Sequence, residues 1–187
     1  GRGSDGAANG VIALGANNIA NGDSALAVGN QNNATGGAAF AIGSGSNATA
    51  TTTLAVGNRA TASAERAVAL GNTANATAVQ AFAAGSRTEA SGYRAIAIAI
   101  STQAKATGKN AIAVGSYSKA EGRNGTAVGT TSSASGERAS AFGVLANAAG
   151  QNSTAVGQSA KASQENATAV GNDANASAQF ATAVGDR

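Results

Sequence analysis

Glycine returns at every fourteenth position along this chain. Gly15, Gly29, Gly43, Gly57, Gly71 and Gly85 form one series, and Gly115, Gly129, Gly143, Gly157, Gly171 and Gly185 continue it. The interval from Gly85 to Gly115 is two repeats with a little to spare: Ala99 stands in the place of glycine, and about two residues are inserted around Ala99 to Ser101. Thirteen units result, and they cover nearly all of the 187 residues. A short fixed period is the signature of a repeat architecture, in which each unit buries its apolar face against its neighbours.

The columns of the repeat carry the physics. Two residues before the glycine stands Ala in all 13 units; one before it stands Leu, Val, Ile or Phe in 12, with Ala84 the exception. Three before it the residue is Ile, Leu, Phe or Val in the first eight units, then Thr126, Ser140, Thr154, Thr168 and Thr182. Seven before it a second small column holds Gly seven times and Ala five, so the two columns contain 19 of the 26 glycines. Two small-residue corners per unit leave two short extended arms. One is apolar, as in SALAV at 24–28, and the other alternates, as in NRATAS at 58–63. Period-two alternation predicts strands. Frequent Gly and β-branched residues without a 3.6-residue stripe argue against helix. Tight reversals that need positive φ explain glycine at the corners. Stacked units would pair like strand with like strand, giving an all-β parallel roll, or solenoid, of 14-residue coils.

Both faces of the apolar arm are apolar in the N-terminal half, which predicts burial on both sides. One face can line a thin interior. The other needs a cover, because soluble monomers avoid long apolar surfaces. Side-by-side association of rolls follows, while which face is inside stays open.

Composition excludes much chemistry. The chain has no His, Cys, Pro, Met or Trp and only six aromatic residues. The common zinc, haem and iron–sulfur ligand sets are missing, as are Cys–His and Ser–His–Asp catalysis, so neither metal nor cofactor is expected. Glu65, Glu137 and Glu165 share one column but lie coils apart, which is no acid/base pair, and no enzyme is predicted. The net charge of +3 comes from 12 basic and 9 acidic residues with no adjacent Lys or Arg, which argues against nucleic acid as a partner. No apolar run is long enough to span a membrane as a helix. The start, Gly1-Arg2-Gly3-Ser4, has no apolar leader region. Residues 1–9 read as an N-terminal segment, either an expression remnant or a cap, and residues 10–187 as the roll.

The units resemble the head repeat of YadA-like trimeric autotransporter adhesins of Gram-negative bacteria. NAIAVG at 110–115 with SYSKAEG at 116–122, NGTAVG at 124–129 with TTSSASG at 130–136, and NSTAVG at 152–157 with QSAKAS at 158–163 carry the likeness. The resemblance implies a left-handed parallel β-roll assembled as a homotrimer on a stalk. It also implies a cell-surface protein secreted through the envelope and held in the outer membrane by a C-terminal anchor absent from this sequence. Its implied function is attachment to host extracellular matrix such as collagen, fibronectin or laminin, or to host-cell receptors, together with autoagglutination and virulence. Ala84, Ala99 with its insertion, and Gln164 at the second corner depart from the family pattern, and the insertion is expected to form a bulge or loop.

Candidate ligand contacts lie where charge is uneven. Arg87, Arg94, Lys105, Lys109, Lys119 and Arg123 are opposed only by Glu89 and Glu121. Such a belt would attract acidic matrix or glycan partners, or would serve as a solvated surface that blocks nonspecific pairing. Arg94, Lys109, Lys119 and Arg123, with Tyr93 and Tyr117 beside them, are the predicted ligand-binding residues. Phe40, Phe82 and Phe142 fall in apolar columns and read as packing residues, while Phe180 breaks its column. Three competing readings are a purely structural spacer, a hexapeptide-repeat acyltransferase and an ice-binding solenoid. The acyltransferase would need a six-residue period and commonly a catalytic His. The ice binder would need flat Thr-x-Thr ranks, whereas Thr126, Thr154, Thr168 and Thr182 form one column interrupted by Ser140.

Overall fold

Alternation along the apolar arm sends its alanines one way and its large residues the other, and only the alanines fit a narrow interior. A computed structural model describes residues 9–99 and 101–186, and shows how this is done. Most of the N-terminal segment and Ile100 within the insertion lie outside the described residues. The chain divides into two compact units, Gly1–Arg94 and Ala95–Arg187.

In the first unit the long strands run Ile12–Ala16, Leu26–Asn30, Phe40–Ser44, Leu54–Asn58, Val68–Leu70 and Phe82–Ala84, each parallel to the next. Two-residue strands from Ile19–Ala20 to Glu89–Ala90 form a second parallel sheet. The second unit repeats the scheme. Long strands run from Ile96–Ile98 to Thr182–Val184, and short ones from Lys105–Ala106 to Asn175–Ala176. Partners stand one repeat apart in sequence, as in Ala27 with Ala41, except across the insertion, where Ile96 pairs with Ile112. Each unit is therefore a parallel β-solenoid. The insertion is taken up between Ile98 and Lys105, and from Lys105 paired with Lys119 the 14-residue register resumes.

The interior is alanine. Ala27, Ala41, Ala55, Ala69 and Ala83 of the long arm, and Ala34, Ala48, Ala62 and Ala76 of the short arm, are fully buried. This settles the face that the sequence left open: the alanine face lies inside, and the larger residues point out. A buried methyl contributes only about 0.8 kcal/mol, so a core this thin leans heavily on its backbone ladders.

The corners are finer than the repeat period suggests. Left-handed residues recur every seven positions, from Thr52 through Arg59, Arg66, Thr73, Gln80 and Arg87 to Arg94, and again from Asn110 to Phe180, with φ of 52–61°. Each coil therefore contains two similar half-coils. In the second unit both kinds of half-coil close a turn from a residue N–H onto a corner carbonyl, as Ala139 does onto Gly136 at 3.2 Å and Ala146 onto Gly143 at 3.3 Å. The left-handed residue is third in the turn, the place such turns reserve for positive φ.

The two glycine columns exist for different reasons. In the series from Gly15 to Gly185 φ lies between 112 and 145°, and a side chain would also strike the next coil; a Cβ on Gly29 would sit 2.0 Å from the Gly43 carbonyl oxygen. In the other column positive φ is not the cause. Gly122 has an ordinary φ, yet a Cβ there would lie 1.9 Å from the Gly136 oxygen. Where glycine occupies that corner, the backbone of the next coil stands too close for a Cβ.

Candidate binding surfaces

A coil built this way presents three kinds of surface. The outer face of the long sheet carries the columns one and three before the glycine. In the first unit these are Leu26 and Val28, Phe40 and Ile42, Leu54 and Val56, Val68 and Leu70, all partly or largely exposed on the single chain. In the second unit the same face becomes mixed from Thr126 onward, where Thr or Ser alternates with Val or Phe. Phe40 and Phe142 are 39% and 40% exposed, so these rings belong to that outer face and not to the roll interior.

The short sheet shows one outward column, which is mainly polar: Asn33, Asn47, Thr61, Asn75 and Glu89 in the first unit, Lys105, Lys119, Ser133, Asn147, Lys161 and Asn175 in the second. Asn33 donates to Asn47 at 3.0 Å along this column.

The corners are the third surface, and the predicted contacts separate among these surfaces. Tyr93 and Arg94 sit together at a corner of the first unit. The Arg94 guanidinium lies 5.1 Å from the Tyr93 ring centroid, and its Nε donates to the Gln80 side chain at 2.7 Å. That packing holds the Arg94 side chain against its neighbours. Lys109 and Arg123 occupy one corner column of the second unit, one coil apart, linked through the Asn124 N–H donating to the Lys109 carbonyl at 2.8 Å. Arg123 also approaches Glu137 at 3.9 Å, and Arg138 reaches the same carboxylate at 3.7 Å. Tyr117 and Lys119 lie at the other corner of that unit and on its short sheet. They line a shallow groove of about 200 Å³ together with Gln103, Lys105, Ser118 and Glu121. Within the second unit the predicted residues fall into two groups, Lys109 with Arg123 at one corner and Tyr117 with Lys119 at the other, while Tyr93 and Arg94 pair in the first unit.

Sequence reasoning passed over a buried polar ladder. Asn18, Asn32 and Ser46, three residues after successive glycines, are buried inside the first unit. Asn32 Nδ2 donates to the Val28 and Gly43 carbonyls, both at 2.8 Å, while its Oδ1 accepts from the Ser46 N–H at 2.9 Å. Asn18 does the same one coil earlier, and the Ser46 hydroxyl bridges the Ile42 and Gly57 carbonyls. The signal was a column of polar residues at the spacing of the repeat. Among the described residues, no three His, Cys, Asp or Glu come together as a metal would require.

Comparison with known proteins matches this architecture to one family description. A family model of the YadA head domain repeat, two copies long, fits residues 20–46, 34–60, 48–74, 76–98, 102–118, 120–146, 134–160, 148–174 and 162–187. The matches leave out 99–101, where the insertion falls. No curated protein matches the chain.

Proposed function

We propose, from the premise that this chain belongs to the YadA head-domain family of trimeric autotransporter adhesins, that it acts as a homotrimeric head that attaches a bacterial surface to host matrix or cells. Its coils wind left-handed, and its role is binding and not catalysis. Three rolls pack through the outer faces of their long sheets, and the short sheets and corners face the host. A stalk and an outer-membrane anchor elsewhere in the full-length protein place the head at the cell surface. The matrix partners are proteins such as collagen, fibronectin or laminin, or host-cell receptors, and the same multivalency drives autoagglutination.

The observation that carries this reading, beside family membership, is the exposed apolar outer face of the long sheet in the first unit. A row of Leu, Val, Ile and Phe two columns wide is a surface that a lone soluble chain avoids and a partner copy covers. Nothing favours the ice-binding alternative, since Thr154 and Thr168 stand beside Val156 and Val170 and not beside a second Thr.

Light scattering on the purified chain should give three times the 17.6 kDa chain mass. Leu54→Asp with Val56→Asp should lower both that mass and retention on surfaces coated with collagen, fibronectin or laminin. A stable wild-type monomer that adheres to none of these would overturn the reading.

A further inference from the structure

At the corner five and six residues before the glycine, carboxylates meet cations in several coils. Arg66 meets Glu65 at 3.5 Å in the first unit, and in the second Arg123 and Arg138 share Glu137 at 3.9 and 3.7 Å. Arg94 stands in the column of Arg66, two coils on, and departs from this pattern. Among the described residues, the carboxylates of the first unit are engaged elsewhere. Asp23 accepts from the Asn9 N–H at 3.0 Å, Glu65 holds Arg66, and Glu89 accepts from the Ser91 hydroxyl at 3.1 Å. Arg94 meets a neutral amide and an aromatic ring instead.

What holds Arg94 also fixes its direction. Its Nε donates to the Gln80 side-chain oxygen at 2.7 Å, one coil back, while the guanidinium lies 5.1 Å from the Tyr93 ring centroid. The plane of the group is thus set before any ligand arrives, which lowers the ordering cost of binding. With Nε spent on Gln80, the two Nη groups form the fork that remains. Such a fork matches the two oxygens of a carboxylate. The surface beside it is apolar. Val79 and Tyr93 occupy one column on consecutive coils, 38% and 39% exposed, and the Arg94 N–H donates to the Val79 carbonyl at 3.0 Å. Earlier in the first unit that column is polar or glycine, as in Asp23, Gly37, Thr51 and Glu65. An exposed arginine fixed on a tyrosine ring has the make-up of a protein-binding hot spot.

We propose that this corner binds a protein segment that offers an Asp or Glu carboxylate beside an aliphatic side chain. The carboxylate takes the two Nη groups of Arg94 as a bidentate pair, and the aliphatic group covers Val79 and the edge of the Tyr93 ring. An acidic polysaccharide fits less well, because its hydroxyl-covered surface does not use the exposed valine. The proposal rests on the adhesin reading and supplies the chemistry of the contact that the partner makes with the first unit. Gln80 is a positioning residue, acting only through Arg94.

The probes are surfaces coated with collagen, fibronectin or laminin, each used as such and after carbodiimide coupling of its carboxyls to glycinamide. The full chain should bind at least one native coat and bind its amidated form about tenfold more weakly. On the native coat Arg94→Gln should weaken half-saturation about tenfold, and Arg94→Lys, which keeps the charge and loses the fork, about fivefold. On the amidated coat Arg94→Gln should cost nothing further, since its partner is already gone. Gln80→Ala should cost about threefold, and nothing once Arg94 is replaced. Arg59→Gln, which removes the same charge at the corner after the glycine, should leave binding unchanged. Each variant should keep the wild-type circular dichroism and mass. Equal losses from Arg94→Gln on native and amidated coats, equal losses from Arg59→Gln, or heparin binding that Arg94→Gln abolishes while adhesion to protein stays intact would each overturn the proposal. A wild-type trimer whose adhesion is indifferent to Arg94→Gln would sink this inference alone. A monomer without adhesion would sink the adhesin reading with it.

Discussion

The corner after the glycine is built in two ways. In the second unit it is a backbone turn: the Ser132 N–H closes onto the Gly129 carbonyl at 3.3 Å, with the Ser132 hydroxyl on the same oxygen at 2.9 Å. In the first coils of the first unit a side-chain amide enters the turn. The Asn32 N–H turns away to Asn18 Oδ1, and the carbonyl of Gly29 is taken by Asn18 Nδ2. The strands change with it. The pairings Ile12–Ala16 with Leu26–Asn30, and the two that follow, run for five residues through the glycine; where Ala60 replaces the polar residue, the next pairing shortens to three. The stacking is closest there too. A Cβ on Gly15, Gly29 or Gly43 would lie 1.9–2.0 Å from the next carbonyl oxygen, against 2.1–2.7 Å from Gly115 to Gly171, with Gly115 the widest. The longer ladders and the turns entered by an asparagine side chain thus occur together in the first coils.

The largest expected effect tests the closeness of that approach. Gly29→Ala should cost roughly 4 kcal/mol or more in thermal or denaturant unfolding, because neither its φ of 120° nor the Gly43 carbonyl can accommodate a methyl. Gly115→Ala should cost measurably less. Equal losses would show that φ alone sets the requirement. Next comes the ladder itself. Asn32→Ala removes donors to two carbonyls and an acceptor for one N–H, and should destabilise by about 2–3 kcal/mol. Ser132→Ala should cost only about 1 kcal/mol, since the backbone N–H keeps its bond to Gly129. Similar costs for the two would erase the distinction between the corner types.

A transplant sharpens the comparison further. Ser118→Asn with Ser132→Asn places two amides in consecutive second-unit coils. Hydrogen exchange at the Ser132 position should slow if the amide form assembles there, and should stay at the wild-type rate if the wider approach near Gly115 forbids it. The smallest effect concerns the outward corners common to both forms. Leu145 holds a left-handed φ of 61° and is 50% exposed. Leu145→Asn should raise stability by about 0.5–1 kcal/mol, because Asn tolerates that conformation better. A loss of stability would mean that the leucine packs against something.

Much of this was legible in the sequence because stacked coils repeat their constraints. Ala27, Ala41 and Ala55 fill one slot and declare it. What stayed hidden has physical reasons. Ala27 and Val28 are both apolar, so hydrophobicity could not say which faced inward; the interior volume decides it. The left-handed residues carry no common chemistry, being Arg, Thr, Tyr, Leu and Phe among others, because the glycines are spent on backbone contact instead. The inserted residues before Lys105 broke the column alignment, so Lys119 was picked out as a contact and its partner Lys105 only as part of the wider belt. The separation of Lys109 and Arg123 from Tyr117 and Lys119 depends on which corner of the coil each pair occupies.

The in-register pairing of each coil with the next also bears on how such a chain acquires its structure. Parallel sheets are usually slow to form, since their strands come from distant parts of the sequence and loop closure must precede any reward. Here every strand finds its partner one coil away. The typical contact spans one repeat out of thirteen, a relative separation of about 0.07, which is the range of fast-folding helical bundles. An all-β protein of this kind can grow from any formed coil by adding the next, each one templated by the last.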